Sequence, residues 1–300
     1  MADLGFDGKV AIVTGAGGGL GREHSLLLAS RGALVVVNDV GGALDGSGSD
    51  AGPGQHVVDE IKAAGGEAVL DTNSVATPEG GAAIVQTALD SFGRIDIVVN
   101  NAGILRDKSF HNMTPDLVDS VLDVHLRGAF YVTQPAWVHM REQSYGRIVV
   151  TASSAGLFGN FGQANYGAAK MGLVGLAHVL AQEGERYNIK ANAIAPTAGT
   201  RMTREIFGDE LADKLAPGLV SPVVAWLVHE DCPVSGHTYS VGGGRVARVF
   251  VGEGPGYVQT DSPLTLEDVR DHFDDIERND DFTLMRNATD ELRVVAKLLG

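Results

Sequence analysis

Residues 10–21 read VAIVTGAGGGLG, a compact apolar run that ends at Thr14 and leads directly into a glycine-rich turn. An uninterrupted apolar run of this kind is typical of a strand buried on both faces of a parallel sheet. Residues 20–30 follow as an amphipathic segment that Gly32 ends, which indicates a helix. A strand, a tight turn and a helix in this order favour a doubly wound α/β sheet.

The same alternation of short apolar runs and amphipathic segments continues along the chain. It predicts a parallel sheet of seven strands with right-handed crossovers and helices on both faces. We expect Pro135 to bend the longest helix. The further strands are predicted at residues 34–37, 68–70, 95–99, 147–151, 190–195 and 237–241, and the further helices at residues 57–64, 81–92, 115–140 and 165–187.

Two segments stand outside this alternation. Residues 41–54 are rich in Gly and Ser, and we interpret them as a flexible surface insertion rather than a binding element. The doubly wound domain is predicted to span residues 1–241. Residues 242–300 then form a C-terminal extension, too small for an independent catalytic domain, that packs on the same subunit or on a partner.

Composition narrows the class of protein. The 300 residues carry 23 Lys and Arg against 38 Asp and Glu, a formal charge of −15, which disfavours a nucleic-acid partner. Cys232 is the only cysteine, so a disulfide within the chain is impossible. No signal peptide and no apolar run of about 20 residues is apparent, so we expect a soluble, cytoplasmic protein without a membrane partner. No metal site is predicted.

The glycine-rich turn, residues 14–21, is a candidate cofactor site. Glycines between a strand and a helix let the backbone approach a pyrophosphate, whose charge the helix N-terminus favours. Asp39 ends the next strand, where its carboxylate would accept hydrogen bonds from ribose hydroxyls and repel a 2′-phosphate. These features predict NAD rather than NADP. The alternative for the glycine-rich turn is a purely structural role. The alternative for Asp39 is that it caps a helix or is a solvated aspartate in a turn.

Residues 151–170, TASSAGLFGNFGQANYGAAK, predict a catalytic site. Tyr166 and Lys170 are four positions apart and share one helix face. A nearby ammonium stabilises phenolate, so we expect the pKa of Tyr166 to be lowered. Ser153 would hold a carbonyl oxygen beside the phenol, an arrangement suited to moving a proton while a hydride is transferred. The alternative is a surface Tyr–Lys pair without function.

Together these residues resemble the short-chain dehydrogenase/reductase superfamily, over residues 5–245. The turn matches its TGxxxGxG motif, NNAG at residues 100–103 matches its NNAG motif, and Ser153, Tyr166 and Lys170 match its catalytic S…YxxxK. The resemblance implies a Rossmann-like fold and homodimers or homotetramers. It also implies that Tyr166 is the general base, that Lys170 holds the nicotinamide ribose and that Ser153 orients the substrate oxygen.

Longer strings, such as FGRIDIVVNNAGILRD and GNFGQANY, resemble the dehydrogenase part of the peroxisomal multifunctional enzymes type 2, whose steroid-active members are called 17β-hydroxysteroid dehydrogenase type 4. This subfamily resemblance implies NAD-dependent oxidation of (3R)-3-hydroxyacyl-CoA to 3-oxoacyl-CoA. Two alternatives remain open: a dehydrogenase of 17β-hydroxysteroids or steroid side-chain acyl-CoA, and a catalytically silent NAD-binding protein. The substrate pocket is expected around residues 202–219, and the extension is expected to cover the acyl channel.

The family resemblance also assigns the remaining contacts with the cofactor. One departure concerns the catalytic asparagine of the superfamily, because His125 occupies its place in the string VHLRG. His125 either takes over a role in proton relay or simply packs. The predicted cofactor-binding residues are Gly15, Gly19, Leu20, Gly21, Asp39, Ser74, Val75, Asn101, Ala102, Gly103, Tyr166, Lys170, Pro196, Ala198 and Thr200.

Overall fold

A computed structural model describes residues 4–200, 203 and 208–298. Its centre is one sheet with the strand order β3-β2-β1-β4-β5-β6-β7-β8. The strands are β1 (Val10–Thr14), β2 (Leu34–Asn38), β3 (Glu67–Asp71), β4 (Ile97–Asn100), β5 (Gly146–Thr151), β6 (Ile189–Pro196), β7 (Thr238–Gly242) and β8 (Arg245–Val249).

Helices cover both faces of this sheet, as predicted. Alternate residues of each central strand face opposite layers: Ala11 and Val13 pack with one set of helices, and Val10 and Ile12 with the other. The first set is α1 (Gly19–Ser30), α2 (Gly52–Ala63) and the later helix Ser221–Val228. The second set is α3 (Pro78–Phe92), the helix Gly128–Gln143 and the helix Ala164–Gly184.

The sheet has eight strands, whereas seven were predicted. The seven expected strands are parallel to their neighbours. The additional strand β8 follows β7 after the two-residue turn Gly243-Gly244, whose φ angles are 55° and 80°. Positive φ at both turn residues is the signature of a tight hairpin, so β8 runs antiparallel to β7 at the sheet edge.

The longest predicted helix is interrupted. In place of one helix over residues 115–140, the chain forms α4 (Pro115–Leu122), a π-helical turn (Asp123–Arg127) and α5 (Gly128–Gln143), which contains Pro135. A π turn inserts an extra residue into a helix and is frequent at functional sites. Here it holds His125, which is buried. Helical periodicity in the sequence does not reveal such an insertion.

The chain after α5 forms one long helix and several short ones. The helix after β5 is α6 (Ser154–Phe158), and α7 (Ala164–Gly184) is the longest described. Beyond β6 the chain forms α8 (Asp209–Lys214) and α9 (Ser221–Val228). The described residues also form 3₁₀ turns at Phe110–Asn112, Glu185–Tyr187 and Pro217–Leu219.

The segment Asp209–Val228 is the one described stretch with the length and mean hydropathy, 1.4, that a membrane span requires. In the structure it is not a continuous helix, because α8 and α9 are separated by the 3₁₀ turn Pro217–Leu219. Val224 and Leu227 of α9 are buried in the core beside the sheet. We therefore interpret α9 as a helix of the domain core rather than as part of a membrane span.

The chain divides into two compact units, residues 1–248 and 249–300. The first contains the sheet, including β8 up to Arg248. The second contains α10 (Leu266–Asp271), α11 (Phe273–Ile276) and α12 (Ala288–Leu298). Thr265 begins α10 with a reciprocal capping box to Asp268, and Glu253 pairs with Thr283 in a short antiparallel bridge.

Candidate active site

A cavity of about 770 Å³ opens at the carboxyl ends of the strands. Its walls include the ends of β1 and β4, between which the strand order reverses, and ligands of doubly wound sheets bind at such a point. All predicted site residues line it except Gly21. They are Gly15, Gly19, Leu20, Asp39, Ser74, Val75, Asn101, Ala102, Gly103, His125, Ser153, Tyr166, Lys170, Pro196, Ala198 and Thr200.

Gly21 lies behind the glycine-rich turn and shapes it. A Cβ at Gly21 would lie 2.3 Å from the carbonyl oxygen of Gly15, so a larger residue would displace the turn. Helix α1 begins at Gly19, which directs its unpaired N–H groups toward the cavity end of β1. The close packing of turn and helix leaves a backbone cradle of the kind that binds a pyrophosphate.

Thr14 fixes this turn to the end of β4, a role that the sequence analysis missed. Its Oγ1 accepts hydrogen bonds from the N–H groups of Asn101 and Ala102, both at 3.0 Å. The Asn101 amide donates in return to the carbonyls of Thr14 and Gly15, at 3.0 and 3.2 Å. The position of Thr14 at the end of an apolar strand was the available signal.

Asp39 lies at the end of β2 and faces the glycine-rich turn. One carboxylate oxygen accepts from the Gly17 N–H at 2.7 Å, and the other accepts from the Gly41 N–H at 2.6 Å. These two bonds fix the orientation of the carboxylate. Each oxygen retains a further lone pair, so the group can still accept from a ribose hydroxyl at the cavity wall.

Ser153, Tyr166 and Lys170 meet where β5 ends. Ser153 is the N-cap of α6, where its hydroxyl accepts from the Ala155 N–H at 3.2 Å, and its side chain is near enough to Tyr166 to favour the ionised phenol. Lys170 is buried and donates through Nζ to the Thr151 carbonyl oxygen. Its Nζ lies 5.5 Å from the centre of the Tyr166 ring.

Burial decides the protonation of this pair. It raises the pKa of Tyr166, and the nearby Ser153 side chain opposes that rise without reversing it. It also lowers the pKa of Lys170 to about 7. The expected fall in the pKa of Tyr166 is therefore not present in the protein alone, because both groups lose more solvation than their mutual proximity restores.

His125 lies beside this pair, in the π-helical turn. Its Nε2 lies 2.8 Å from the Ile104 carbonyl oxygen and 3.0 Å from the Ile104 nitrogen, and its ring contacts the Tyr166 ring edge-on. Burial, and secondarily the charge of Lys170, lowers the pKa of His125 well below its usual value, so the imidazole is neutral. The buried Nδ1 has no hydrogen-bond partner among the described residues.

Other residues in the cavity or directly behind its wall were not anticipated. Asn165, adjacent to Tyr166, donates to the carbonyls of Arg106 and Leu117 at 3.0 and 2.8 Å and accepts from the Tyr166 N–H. Residues 42–46 of the expected surface insertion also line the cavity. Of the expected substrate loop, residues 202–219, residues 202 and 204–207 lie outside the described part of the chain.

These residues fit a nicotinamide dinucleotide. The glycine cradle and the start of α1 suit a pyrophosphate, Asp39 suits a ribose diol, and Lys170 with Tyr166 stands at the other end of the same cavity. The chemistry available at that end is a proton donor and acceptor, a second hydroxyl and a buried cation.

Comparisons with known proteins identify the family. Residues 9–211 match the family model for short chain dehydrogenase. A Mycobacterium tuberculosis protein that bears a short-chain dehydrogenase/reductase name is 55% identical over 88% of this chain and 92% of its own length. The chain therefore belongs to the short-chain dehydrogenase family, whose members are oxidoreductases acting on CH–OH groups.

Two further relatives have more specific names. The peroxisomal multifunctional enzyme type 2 of Mus musculus is 50% identical over 91% of this chain, which spans only 37% of the mouse protein. A hydroxyacyl-CoA dehydrogenase of Mycobacterium tuberculosis is 40% identical over 88% of this chain and 89% of its own length.

Solved structures agree in fold. The full-length peroxisomal multifunctional enzyme type 2 of Drosophila melanogaster matches with a TM-score of 0.84 and 41% identity, over 99% of this chain and 50% of that one. A 7α-hydroxysteroid dehydrogenase in complex with NADH and 7-oxo glycochenodeoxycholic acid matches with a TM-score of 0.73 and 28% identity, over 81% of this chain and 98% of that one.

Proposed function

We propose that this short-chain dehydrogenase oxidises (3R)-3-hydroxyacyl-CoA to 3-oxoacyl-CoA with NAD. The observation that carries the proposal is the 50% identity to a peroxisomal multifunctional enzyme type 2 over 91% of the chain. The relative named as a hydroxyacyl-CoA dehydrogenase supports the same substrate class. The chain spans only 37% of the mouse enzyme, so the proposal concerns the dehydrogenase activity alone.

The residues of the cavity account for the proton transfer. Ser153 positions the hydroxyl oxygen of the substrate, and Tyr166 accepts its proton as the C–H hydride leaves the same carbon. NAD, when bound, supplies the hydride acceptor. Lys170 holds the nicotinamide ribose and offsets the negative charge that develops on Tyr166. The substrate thereby loses one hydride and one proton and becomes a ketone.

Asp39 supports NAD as the cofactor rather than NADP. Its carboxylate is held toward the cavity by the N–H groups of Gly17 and Gly41. A 2′-phosphate on the adenosine ribose would lie against this charge, whereas the free diol of NAD would donate to it. The NADH complex of the 7α-hydroxysteroid dehydrogenase is consistent with this cofactor class.

A steroid alcohol is the second candidate substrate. It is favoured by the likeness, at a TM-score of 0.73, to the 7α-hydroxysteroid dehydrogenase complex. The catalytic residues would have the same roles, and only the walls that contact the substrate would differ. A 17β-hydroxysteroid and a steroid side-chain acyl-CoA both belong to this alternative.

The deciding experiment measures NADH formation with four substrates in parallel: a (3R)-hydroxyacyl-CoA, its (3S) epimer, a 17β-hydroxysteroid and a steroid side-chain hydroxyacyl-CoA. Activity confined to the straight-chain (3R) thioester supports the proposal. Activity confined to either steroid substrate replaces it with the second candidate. If NADH binds to the protein but no secondary alcohol leads to NADH formation from NAD, the chain is a silent NAD-binding protein.

We also propose that the protein is a cytoplasmic homodimer or homotetramer. Helices α5 and α7 support an assembly because they expose large apolar side chains: Phe130 and Val138 on α5, and Met171 and Val179 on α7. Light scattering coupled to gel filtration tests it, and a monomer at micromolar concentration would contradict it. The expected role of residues 242–300 in covering the acyl channel stays a prediction.

A further inference from the structure

Residues 41–50, which we call the strap, form an ordered loop rather than a flexible insertion. The loop is closed at its base by the Asp50 N–H, which donates to the Val40 carbonyl at 3.1 Å. It is closed at its tip by the Ala43 N–H, which donates to the Ser47 carbonyl at 2.8 Å. Helix α2 begins directly after it, at Gly52. The strap is therefore a compact loop whose two ends are close together.

The strap is attached at its far side to the segment that follows β4. The Leu105 N–H donates to the Leu44 carbonyl at 3.0 Å, and Arg106 Nε donates to the Asp45 carbonyl at 2.9 Å. Gly46 lies against Ile104, since a Cβ at Gly46 would lie 3.2 Å from that side chain. Three consecutive residues, 104–106, thus hold the tip of the strap.

These two attachments lie on opposite sides of β1. The strap leaves from the end of β2, and residues 104–106 follow the end of β4, while β1 lies between these two strands. Neighbouring strands are about 4.8 Å apart, so the strap crosses a gap of about 10 Å. The glycine-rich turn of β1 lies in that gap, and strap residues 42–46 line the same cavity.

We propose that the strap closes over the bound dinucleotide and sets the rate at which it dissociates, with Arg106 as the positioning residue that holds the strap. The inference rests on the cofactor assigned under the proposed function. It follows from the geometry, because a dinucleotide that extends from Asp39 to Lys170 passes beneath a loop attached on both sides of its path. Release of the dinucleotide then requires the bonds to residues 105 and 106 to break.

The first test measures NADH dissociation by stopped-flow fluorescence in the full chain, with no acyl substrate present. Replacing residues 43–48 by two glycines removes the crossing, and the dissociation rate should rise by about tenfold or more. Arg106→Ala removes one of the bonds that hold the strap and should raise the rate by about fivefold. Arg141→Ala, which removes an exposed arginine that stacks on Tyr187, is the matched control and should change nothing.

A second pair of variants separates contact with Ile104 from backbone strain. Gly46 and Gly48 have similar φ angles of 84° and 73°, but a Cβ at Gly48 would contact nothing within 4 Å. Gly46→Ala should therefore accelerate NADH dissociation more than Gly48→Ala. Equal rates for the two would overturn the attachment at Ile104.

The outcomes also distinguish this inference from the proposed function. Unchanged NADH dissociation in both the shortened strap and Arg106→Ala would overturn it, whatever the substrate proves to be. A raised KM for the acyl substrate with unchanged NADH dissociation would likewise overturn it, because the strap would then contact the substrate. If the unaltered enzyme shows no activity with acyl-CoA substrates, the proposed function is refuted. The NADH dissociation rates of the variants would still test the role of the strap.

Discussion

The ring of His125 stands edge-on to the ring of Tyr166, with the ring centres 5.2 Å apart and the planes at 87°. The same histidine is hydrogen-bonded to the backbone of Ile104, whose neighbours Leu105 and Arg106 hold the strap. His125 therefore fixes the position of the proposed catalytic phenol and connects it to the cofactor side of the cavity. Because its pKa lies well below the usual value, it does so as a neutral ring.

His125→Ala should lower kcat by about fivefold, since an edge-on aromatic contact contributes about 1 kcal/mol to positioning the phenol. The cavity left behind should also lower the free energy of unfolding, by about 2–4 kcal/mol. The shape of the pH–rate profile should not change, because the imidazole does not titrate in the working range. Steady-state kinetics against pH, with His139→Ala at a half-buried position outside the cavity as the control, measure this. Disappearance of a limb of the profile would instead give His125 a role in proton transfer.

Tyr166→Phe should lower kcat by about 10³-fold while leaving NADH affinity unchanged, because it removes the proton acceptor and retains the ring. The comparison is between turnover and the fluorescence-derived Kd of NADH. Tyr187→Phe serves as the control, since its hydroxyl accepts from Arg141 on the surface. A near-normal rate in Tyr166→Phe would refute the assignment of the base.

The central fold was predictable because the strands are uninterrupted runs of apolar, mostly β-branched residues, and burial on both faces requires such runs. The eighth strand was not, because RVARV at the sheet edge is interrupted by two arginines and is therefore not the uninterrupted apolar run of a buried strand. Its two-residue glycine turn, Gly243-Gly244, was the overlooked indication of a hairpin.

The candidate site was predictable where its geometry is local in sequence. Tyr166 and Lys170 are one helical turn apart, and Ser153 begins the preceding helix. The strap was not predictable, because the Leu105 N–H and the Arg106 side chain hold it by donating to backbone carbonyls about sixty positions earlier, and carbonyl acceptors leave no pattern in the sequence. The π-helical turn around His125 was not predictable either. It inserts one extra residue into the helix, and the apolar pattern of the sequence does not reveal such an insertion.

Asp39→Ala and Asp39→Asn should both reduce the preference for NAD over NADP, by about tenfold in the ratio of kcat/KM values. Both remove the charge that repels a 2′-phosphate. The asparagine retains an oxygen that can accept from Gly17 or Gly41, so it should change the stability of the turn less than alanine does. Cofactor kinetics with both dinucleotides test this. An unchanged ratio in both variants would show that Asp39 does not contact the adenosine ribose.

Alcohol oxidation should accelerate as the pH rises through about 7, the pKa to which burial lowers Lys170. Oxidation needs a proton acceptor, and the buried Tyr166–Lys170 pair acquires one when it loses its first proton. Ketone reduction needs the protonated pair and should decline over the same range. Initial rates in both directions measure this. An oxidation profile that is flat from about pH 6 to pH 9 would show that the pair does not control the reaction.

Lys170→Met should inactivate the enzyme and yet stabilise it, because the buried ammonium is a cost to folding. Its pKa is about 7 when folded, below the ordinary value of 10.5, so between these values the unfolded chain binds more protons and stability rises with pH. Below about pH 7 the cost is complete, and at about 1.4 kcal/mol per unit of pKa shift it amounts to a few kcal/mol.

The gain in Tm from Lys170→Met should therefore be larger at about pH 6.5 than at about pH 9.5. Lys214→Met, on the exposed face of α8, should show no such pH dependence. A gain that grows toward high pH would mean that Lys170 is stabilised as a cation in the folded protein.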